Sequence, residues 1–255
     1  MDDPRLDQGV GAEAGDAASA AGGVAEVIEY YDSGATKEVS HFRDGELHGL
    51  VTEYRENGSV ACRSTFQEGR LQGRVELYDE RGGLAQTADY VAGLLEGFVR
   101  IYAGGRLTLK MAAKAGKQHG PTTTFDERGR VTGRLEFVEG VQEGTSMFYG
   151  PDGGLARKSE YAGGLLHGMT VEYYPDGTVR QEVPYVAGAV DGEVVTYDPE
   201  GEVMQRQVVT PEPPKGEKAP APTLGQEAST ETEVPEEAAA EKAPFSGFFG
   251  RFKGG

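Results

Sequence analysis

Glycine returns along this chain at fixed intervals. One series runs Gly34, Gly58, Gly82, Gly105, Gly129, Gly153, Gly177 and Gly201, every step 24 residues except one of 23. Two more series keep the same steps: Gly45, Gly69, Gly93, Gly116, Gly140, Gly164, Gly188, and Gly49, Gly73, Gly97, Gly120, Gly144, Gly168, Gly192. Aromatic residues share the period at Tyr30, Tyr54, Tyr78, Tyr102, Phe125, Tyr149, Tyr173 and Tyr197, and separately at Phe42, Phe66, Tyr90, Phe137, Tyr161 and Tyr185. A period of this length marks a repeat architecture, in which each unit is too small to bury a core alone and leans on its neighbours.

Each unit holds two strand-length runs separated by glycine-bearing turns, the pattern of a β-hairpin. The tips read YPDG at Tyr174–Gly177, GPDG at Gly150–Gly153, DPEG at Asp198–Gly201 and RENG at Arg55–Gly58. Such sequences fit a type I turn closed by a left-handed glycine. Two residues past the tip glycine stand Val60, Leu84, Leu107, Val131, Leu155, Val179 and Val203, with Thr36 the polar member. Two past the first glycine of the other turn stand Leu47, Leu71, Leu95, Leu166 and Val190, with Gln118 and Gln142 as exceptions. The expected fold is all-β: an elongated single-layer antiparallel meander, a solenoid-like rod of about seven to eight hairpins, stabilised by aliphatic and aromatic columns running across the strands.

The motif aromatic-x2-Gly-x3-Gly-x4-Tyr-x3-Gly, as in Phe66, Gly69, Gly73, Tyr78 and Gly82, resembles the membrane occupation and recognition nexus repeat in its bacterial variant, often labelled an antitoxin. The resemblance covers residues 24–209 and implies a row of antiparallel hairpins used as a scaffold or recognition surface. The further Gly-x-Gly and Tyr-x-Gly-x-aromatic steps of the eukaryotic repeat are absent.

Outside the repeats the composition changes. Residues 1–23 are expected to form a disordered arm, and residues 210–243 a Pro/Glu-rich disordered linker. Residues 244–255, PFSGFFGRFKGG, carry four of the ten phenylalanines. Phe245, Phe248, Phe249 and Phe252 recur at i, i+3, i+4 and i+7, one face of a helix that could form on a partner, with Arg251 beside them. This segment reads as a docking peptide; weak association with a membrane surface is its second reading, and an intramolecular cap over the open sheet edge its third. The unit that is one residue short, IYAGGRLTLKMAAKAGKQHG, places Ala113 where an aromatic belongs, so a groove beside Met111, Ala113 and Lys114 is a second candidate site.

The formal charge is −17, of which −4 falls in residues 1–25, −10 in 26–210 and −3 in 211–255. That balance disfavours nucleic acid and favours a basic protein partner. Open sheet edges leave room for end-to-end self-association. The acidic N-terminus lacks the features of a signal peptide and no run approaches about 18 apolar residues, so a cytoplasmic location is expected. The single Cys62 reads as a half-buried strand residue. His48, His119 and His167 share one repeat phase several strands apart and read as turn residues. No phosphate loop, placed nucleophile or metal-ligand spacing occurs, so the expected function is non-catalytic and without cofactor: a protein-interaction scaffold, with an antitoxin-like neutraliser of a basic partner as the alternative.

Overall fold

The computed structural model describes residues 23–211, and every regular element within them is a β-strand. The strands form one 21-stranded antiparallel sheet. Except in the shortened unit, whose strands are Leu94–Ala103 and Arg106–Lys114, each hairpin has a leading strand ending on the periodic aromatic, as in Gly49–Tyr54 and Gly168–Tyr173. Its returning strand begins at the periodic position two past the tip glycine, as in Val60–Gln67 and Val179–Val186. Eight such hairpins follow one another, so the antiparallel meander expected from the glycine spacing is the fold. Val24–Tyr30, a leading strand, forms one edge, and Val203–Val209, a returning strand, forms the other.

Two kinds of tip join the strands. In the wide tip at Arg55–Ser59, the Gly58 N–H donates to the Arg55 carbonyl at 2.8 Å, and the Arg55 N–H donates to the Ser59 carbonyl at 2.8 Å. Tyr54 then faces Val60 while Glu53 faces Cys62, leaving Ala61 as a bulge. The narrow tip has two residues, both left-handed: Ala92 at φ 49° and Gly93 at φ 83°, or Asp44 at 51° and Gly45 at 84°. This is the turn whose twist matches a hairpin, and glycine meets its second position without steric cost. The short unit keeps its bulge, with Tyr102 facing Leu107 and Ile101 facing Leu109. It loses a residue from the tip instead, where Gly104 and Gly105 form a two-residue turn at φ 55° and 77°. One turn type replaces another and the ladder stays in phase.

Burial divides the faces of the sheet. Alternation along a strand puts Cys62, Ser64 and Phe66 on one face and Arg63, Thr65 and Gln67 on the other, and only the first three are buried. The buried face holds every buried side chain except Thr52, Thr87 and Val195. At its middle, small residues face one another across strands: Val51 opposite Ser64, Val75 opposite Ala88, Ser146 opposite Ser159 and Thr170 opposite Val183. Larger side chains flank this column, Phe66 opposite Leu71 and Tyr185 opposite Val190 among them. The polar exceptions in the aliphatic column have partners: Gln118 Nε2 donates to Thr122 Oγ1 and Gln142 Nε2 to Ser146 Oγ, each at 2.8 Å. A buried hydroxyl that would otherwise cost about 1–3 kcal/mol is thereby satisfied.

Candidate interaction surface

Side chains from one wide tip lock onto the next. The Tyr31 hydroxyl donates to the Tyr54 carbonyl at 2.8 Å, the Arg55 guanidinium to the Tyr78 carbonyl, and the Tyr174 hydroxyl to the Tyr197 carbonyl at 2.8 Å. All three struts start from the first tip residue and reach 23 residues ahead. Gly150 occupies that position in its own unit and has no side chain to send. Between this tip and the next lies a groove of about 540 Å³, lined by Gly150, Pro151, Leu155, Tyr173, Tyr174 and Pro175 among others. Two prolines and two tyrosines make its walls largely apolar, and the Tyr173 carbonyl stands at the position where the Tyr54, Tyr78 and Tyr197 carbonyls accept a strut.

The narrow tips are stitched differently. The Gly188 N–H donates to the Leu166 carbonyl at 2.8 Å, and the Gly164 N–H to the Gln142 carbonyl at 3.0 Å. The preceding tip residue turns its own N–H toward a side chain of the previous unit: Ala92 to Gln72 Oε1 at 3.0 Å, Ala115 to Glu96 Oε2 at 2.7 Å, Gly163 to Glu143 Oε2 at 2.8 Å, Ala187 to His167 Nδ1 at 3.4 Å. His167 is a turn residue with a job: it accepts from the neighbouring tip. His119 holds the same phase with Nδ1 3.4 Å from Glu139 Oε1.

Charge is sorted across the sheet. Carboxylates crowd both rows of tips, with Glu56, Asp152, Asp176 and Glu200 exposed on the wide tips and Asp44, Glu68 and Glu139 on the narrow ones. Hydrogen bonds from the Thr178 hydroxyl and then its N–H hold the Asp176 carboxyl below its ordinary range. The Arg130 N–H does the same for Asp126, joined by the Arg130 side chain. Cations run down the middle of the face opposite the buried one: the ladder Arg63, Glu76, Thr87, Arg100, Lys110, Thr123, Arg134 is continuous through paired residues. Beside it, Asp89 accepts from Arg74 at 2.9 Å and from Arg100 at 3.2 Å. Lys110 Nζ stands 4.1 Å and the Arg100 guanidinium carbon 5.2 Å from the centre of the Phe98 ring. An acidic surface along the whole length, as net charge implies, is therefore replaced by acidic rims around a basic midline.

The periodic residues occupy the places their spacing assigns. Gly34, Gly58, Gly82, Gly105, Gly129, Gly153, Gly177 and Gly201 all have positive φ at wide tips or, for Gly105, at the shortened one. Ala113 faces Gly97 and Gln118 and is buried; Met111 shares its face half-buried, while Lys114 is exposed and, by alternation, on the opposite face. Cys62 is buried, and burial followed by the Glu53, Glu38 and Glu76 carboxylates pushes its thiol up to about 12. Phe245, Phe248, Phe249, Arg251 and Phe252 lie outside the described residues, as do most of the expected N-terminal arm and nearly all of the linker. Among the described residues no group of His, Cys, Asp or Glu is arranged to hold a metal, and no helix is long and apolar enough to cross a membrane.

Eight hairpins in one register, tied tip to tip, define a β-hairpin repeat protein. Its family is given by two stretches, residues 47–68 and 166–187, that match the family described as MORN repeat variant. Both matches support a MORN-type repeat protein, and MORN repeats commonly serve protein or membrane interaction. No curated protein matches the chain. Among solved structures it is similar to "Crystal Structure of TcdB2-TccC3-Cdc42", at 16% identity and a TM-score of 0.23, covering 68% of this chain and 11% of that one. It is also similar to "Crystal Structure of TcdB2-TccC3-TEV", at 13% identity and a TM-score of 0.21, covering 72% of this chain and 12% of that one. The chain thus spans 11–12% of the length of those chains.

Proposed function

We propose that this protein is a non-catalytic, cytoplasmic interaction scaffold whose wide tips, and the groove between two of them, receive a protein partner. The observation that most supports this reading is the strut missing at Gly150. Three other units fill the equivalent gap with Tyr31, Arg55 or Tyr174, each donating to a backbone carbonyl, whereas Asp79 and Asp126 at the same position accept from N–H groups of their own tips. Here the gap is an apolar cleft of about 540 Å³ whose lining includes the exposed Asp152, with the exposed Asp176 next in sequence to its lining residue Pro175. A partner side chain of the same kind, an arginine or a tyrosine, would complete the repeat by donating to the Tyr173 carbonyl, and an arginine would also meet the acidic rim. Contacts along the row of tips would then add by avidity where any one of them is weak.

The test is Gly150→Tyr, which places in the gap the side chain found at positions 31 and 174. Gly150 does not have positive φ, and a Cβ there approaches Asp152 Oδ1 at 2.9 Å, the mobile end of a side chain. The variant should keep or raise its melting temperature and lose the proteins that co-purify with the full chain. Unchanged capture by Gly150→Tyr rejects the groove as the site.

The acidic tips support a second reading, an antitoxin-like protein that occludes a basic partner. It requires capture that weakens several-fold as salt rises from 0.05 to about 0.5 M, and growth arrest when the protein is depleted. The segment 244–255 is proposed as an additional docking peptide, with membrane-surface contact as its other reading. Loss of vesicle sedimentation on deleting that segment would select the latter.

A further inference from the structure

The two edges of the sheet are different kinds of strand. Val24–Tyr30 is a leading strand and Val203–Val209 a returning one, so the described residues contain a whole number of hairpins. Within the sheet every returning strand pairs with the next leading strand in a fixed register: Glu38 opposite Glu53, Arg157 opposite Glu172, Gln181 opposite Thr196, Glu182 opposite Val195. Moving that register on by one unit from the last hairpin sets Gln205 opposite Glu29 and Arg206 opposite Ile28, where residues 28 and 29 come from the start of another copy. We propose that the C-terminal edge of one copy pairs with the N-terminal edge of a second copy in this register, continuing the hairpin ladder from molecule to molecule.

Five observations carry the proposal. The strand pairing it creates uses the register already formed between consecutive hairpins inside each chain. Both edges expose apolar side chains on one face: Val24, Ile28 and Tyr30 on the first, Val203, Met204 and Val208 on the last, with Val208 74% and Met204 67% exposed. Neither edge carries the lysines or prolines that usually blunt a free edge. Charge selects head-to-tail over like-to-like. Arg206 would lie diagonal to Glu26 of the next copy, within reach of a long side chain, whereas two C-terminal edges related by a two-fold axis near their centre bring Arg206 against Arg206, and two N-terminal edges gather Glu26 and Glu29 from both. The narrow-tip pattern is broken at the last described residue. The next narrow tip would begin at Pro211, 24 residues after Ala187, and a proline ring fixed near φ −65° cannot adopt the left-handed conformation that Ala187 has at 49°.

A head-to-tail contact does not close on itself, so association should pass through the dimer rather than stop there. Sedimentation equilibrium on the full chain over a hundredfold concentration range should give a weight-average mass that keeps rising beyond two copies. Ile28→Lys places a lysine opposite Arg206, and Val208→Glu places a glutamate opposite Glu26. Both sites are exposed, so each variant alone should remain monomeric with an unchanged melting temperature. Each variant retains the edge that the other has lost, so a one-to-one mixture should form a dimer and nothing larger. A full chain that stays monomeric throughout, a plateau at two copies, or a mixture that remains monomeric overturns the proposal. Partner capture is measured at concentrations where the chain is monomeric, so failure of self-assembly leaves the scaffold reading standing and the converse also holds.

Discussion

The hydroxyl of Tyr174 donates to the backbone carbonyl of Tyr197 at 2.8 Å, joining the tip of one hairpin to the end of the next leading strand. Tyr31 and Tyr54 repeat the arrangement at 2.8 Å near the start of the sheet. In a row of units that contact only their neighbours, such a bond adds to the coupling between units, which is where a repeat protein keeps most of its stability. Tyr174→Phe removes one hydroxyl and leaves the ring. It should cost about 1 kcal/mol and lower the melting temperature by roughly 2–4 °C for a unit of this size. Phe at both 31 and 174 should add the two losses, because the sites are far apart. A thermal scan that shows neither shift would place the coupling elsewhere, in the narrow-tip bonds.

The narrow tips hold residues in a backbone region that side chains other than glycine resist. Ala92, Ala115 and Ala187 have φ of 49–50°. Asparagine tolerates this region and is the favoured first residue of such a turn, so Ala92→Asn should stabilise the protein by about 0.5–1 kcal/mol. The N–H of residue 92 would keep its bond to Gln72. Chemical denaturation with an unchanged slope and a higher midpoint is the expected outcome; a lower midpoint would mean that the asparagine side chain competes for Gln72.

The glycine period made the meander legible because each glycine marks a place where the chain must turn, and the aromatics two strands away share that spacing. The centre of the buried face was not legible. Ser64, Ser146 and Ser159 are at most 2% exposed, yet serine carries no apolar signature. Their burial follows from the larger Phe and Leu side chains on either side, a property of the assembled face and not of any one strand. The left-handed Glu68 and Ala92 were hidden for a similar reason: their tips are held by bonds to the previous hairpin, 20–22 residues away in sequence. The Gly150 groove arises from a missing side chain, and its absence acquires meaning only beside Tyr31, Arg55 and Tyr174. The basic midline was obscured because its successive cations Arg63, Arg100, Lys110 and Arg134 are 10 to 37 residues apart in the chain and come into one row only through the ladder.

Cys62 should report on folding. It is 3% exposed, and its thiol is pushed up to about 12 by burial and then by the Glu53, Glu38 and Glu76 carboxylates. Only the thiolate attacks alkylating reagents, so at neutral pH the folded protein should resist iodoacetamide by at least about a hundredfold relative to the unfolded chain. Labelling followed by mass spectrometry along a denaturant series should rise with the loss of strand signal in circular dichroism. Labelling that precedes the loss would show that the hairpins around Val60–Gln67 open before the rest.

Asp89 gives the outer face a defined acid response. Partial burial pushes its carboxyl up, but the hydrogen bonds from Arg74 and Arg100 outweigh burial and hold it below the ordinary carboxylate range. A carboxyl depressed in the folded protein contributes stability above its unfolded value, near pH 4, and loses that contribution as pH falls through the lower folded value. Asp126, Asp176 and Glu139 are shifted the same way and steepen the same limb. Asp89→Asn keeps the side chain's shape while removing the charge. The variant should therefore be less stable than the parent at pH 7, and the gap between their melting temperatures should narrow below about pH 4 as the parent's carboxyl protonates. A gap that stays constant from pH 7 to pH 2 would show that Arg74 and Arg100 hold Asp89 through geometry alone, with no net preference for its charged form.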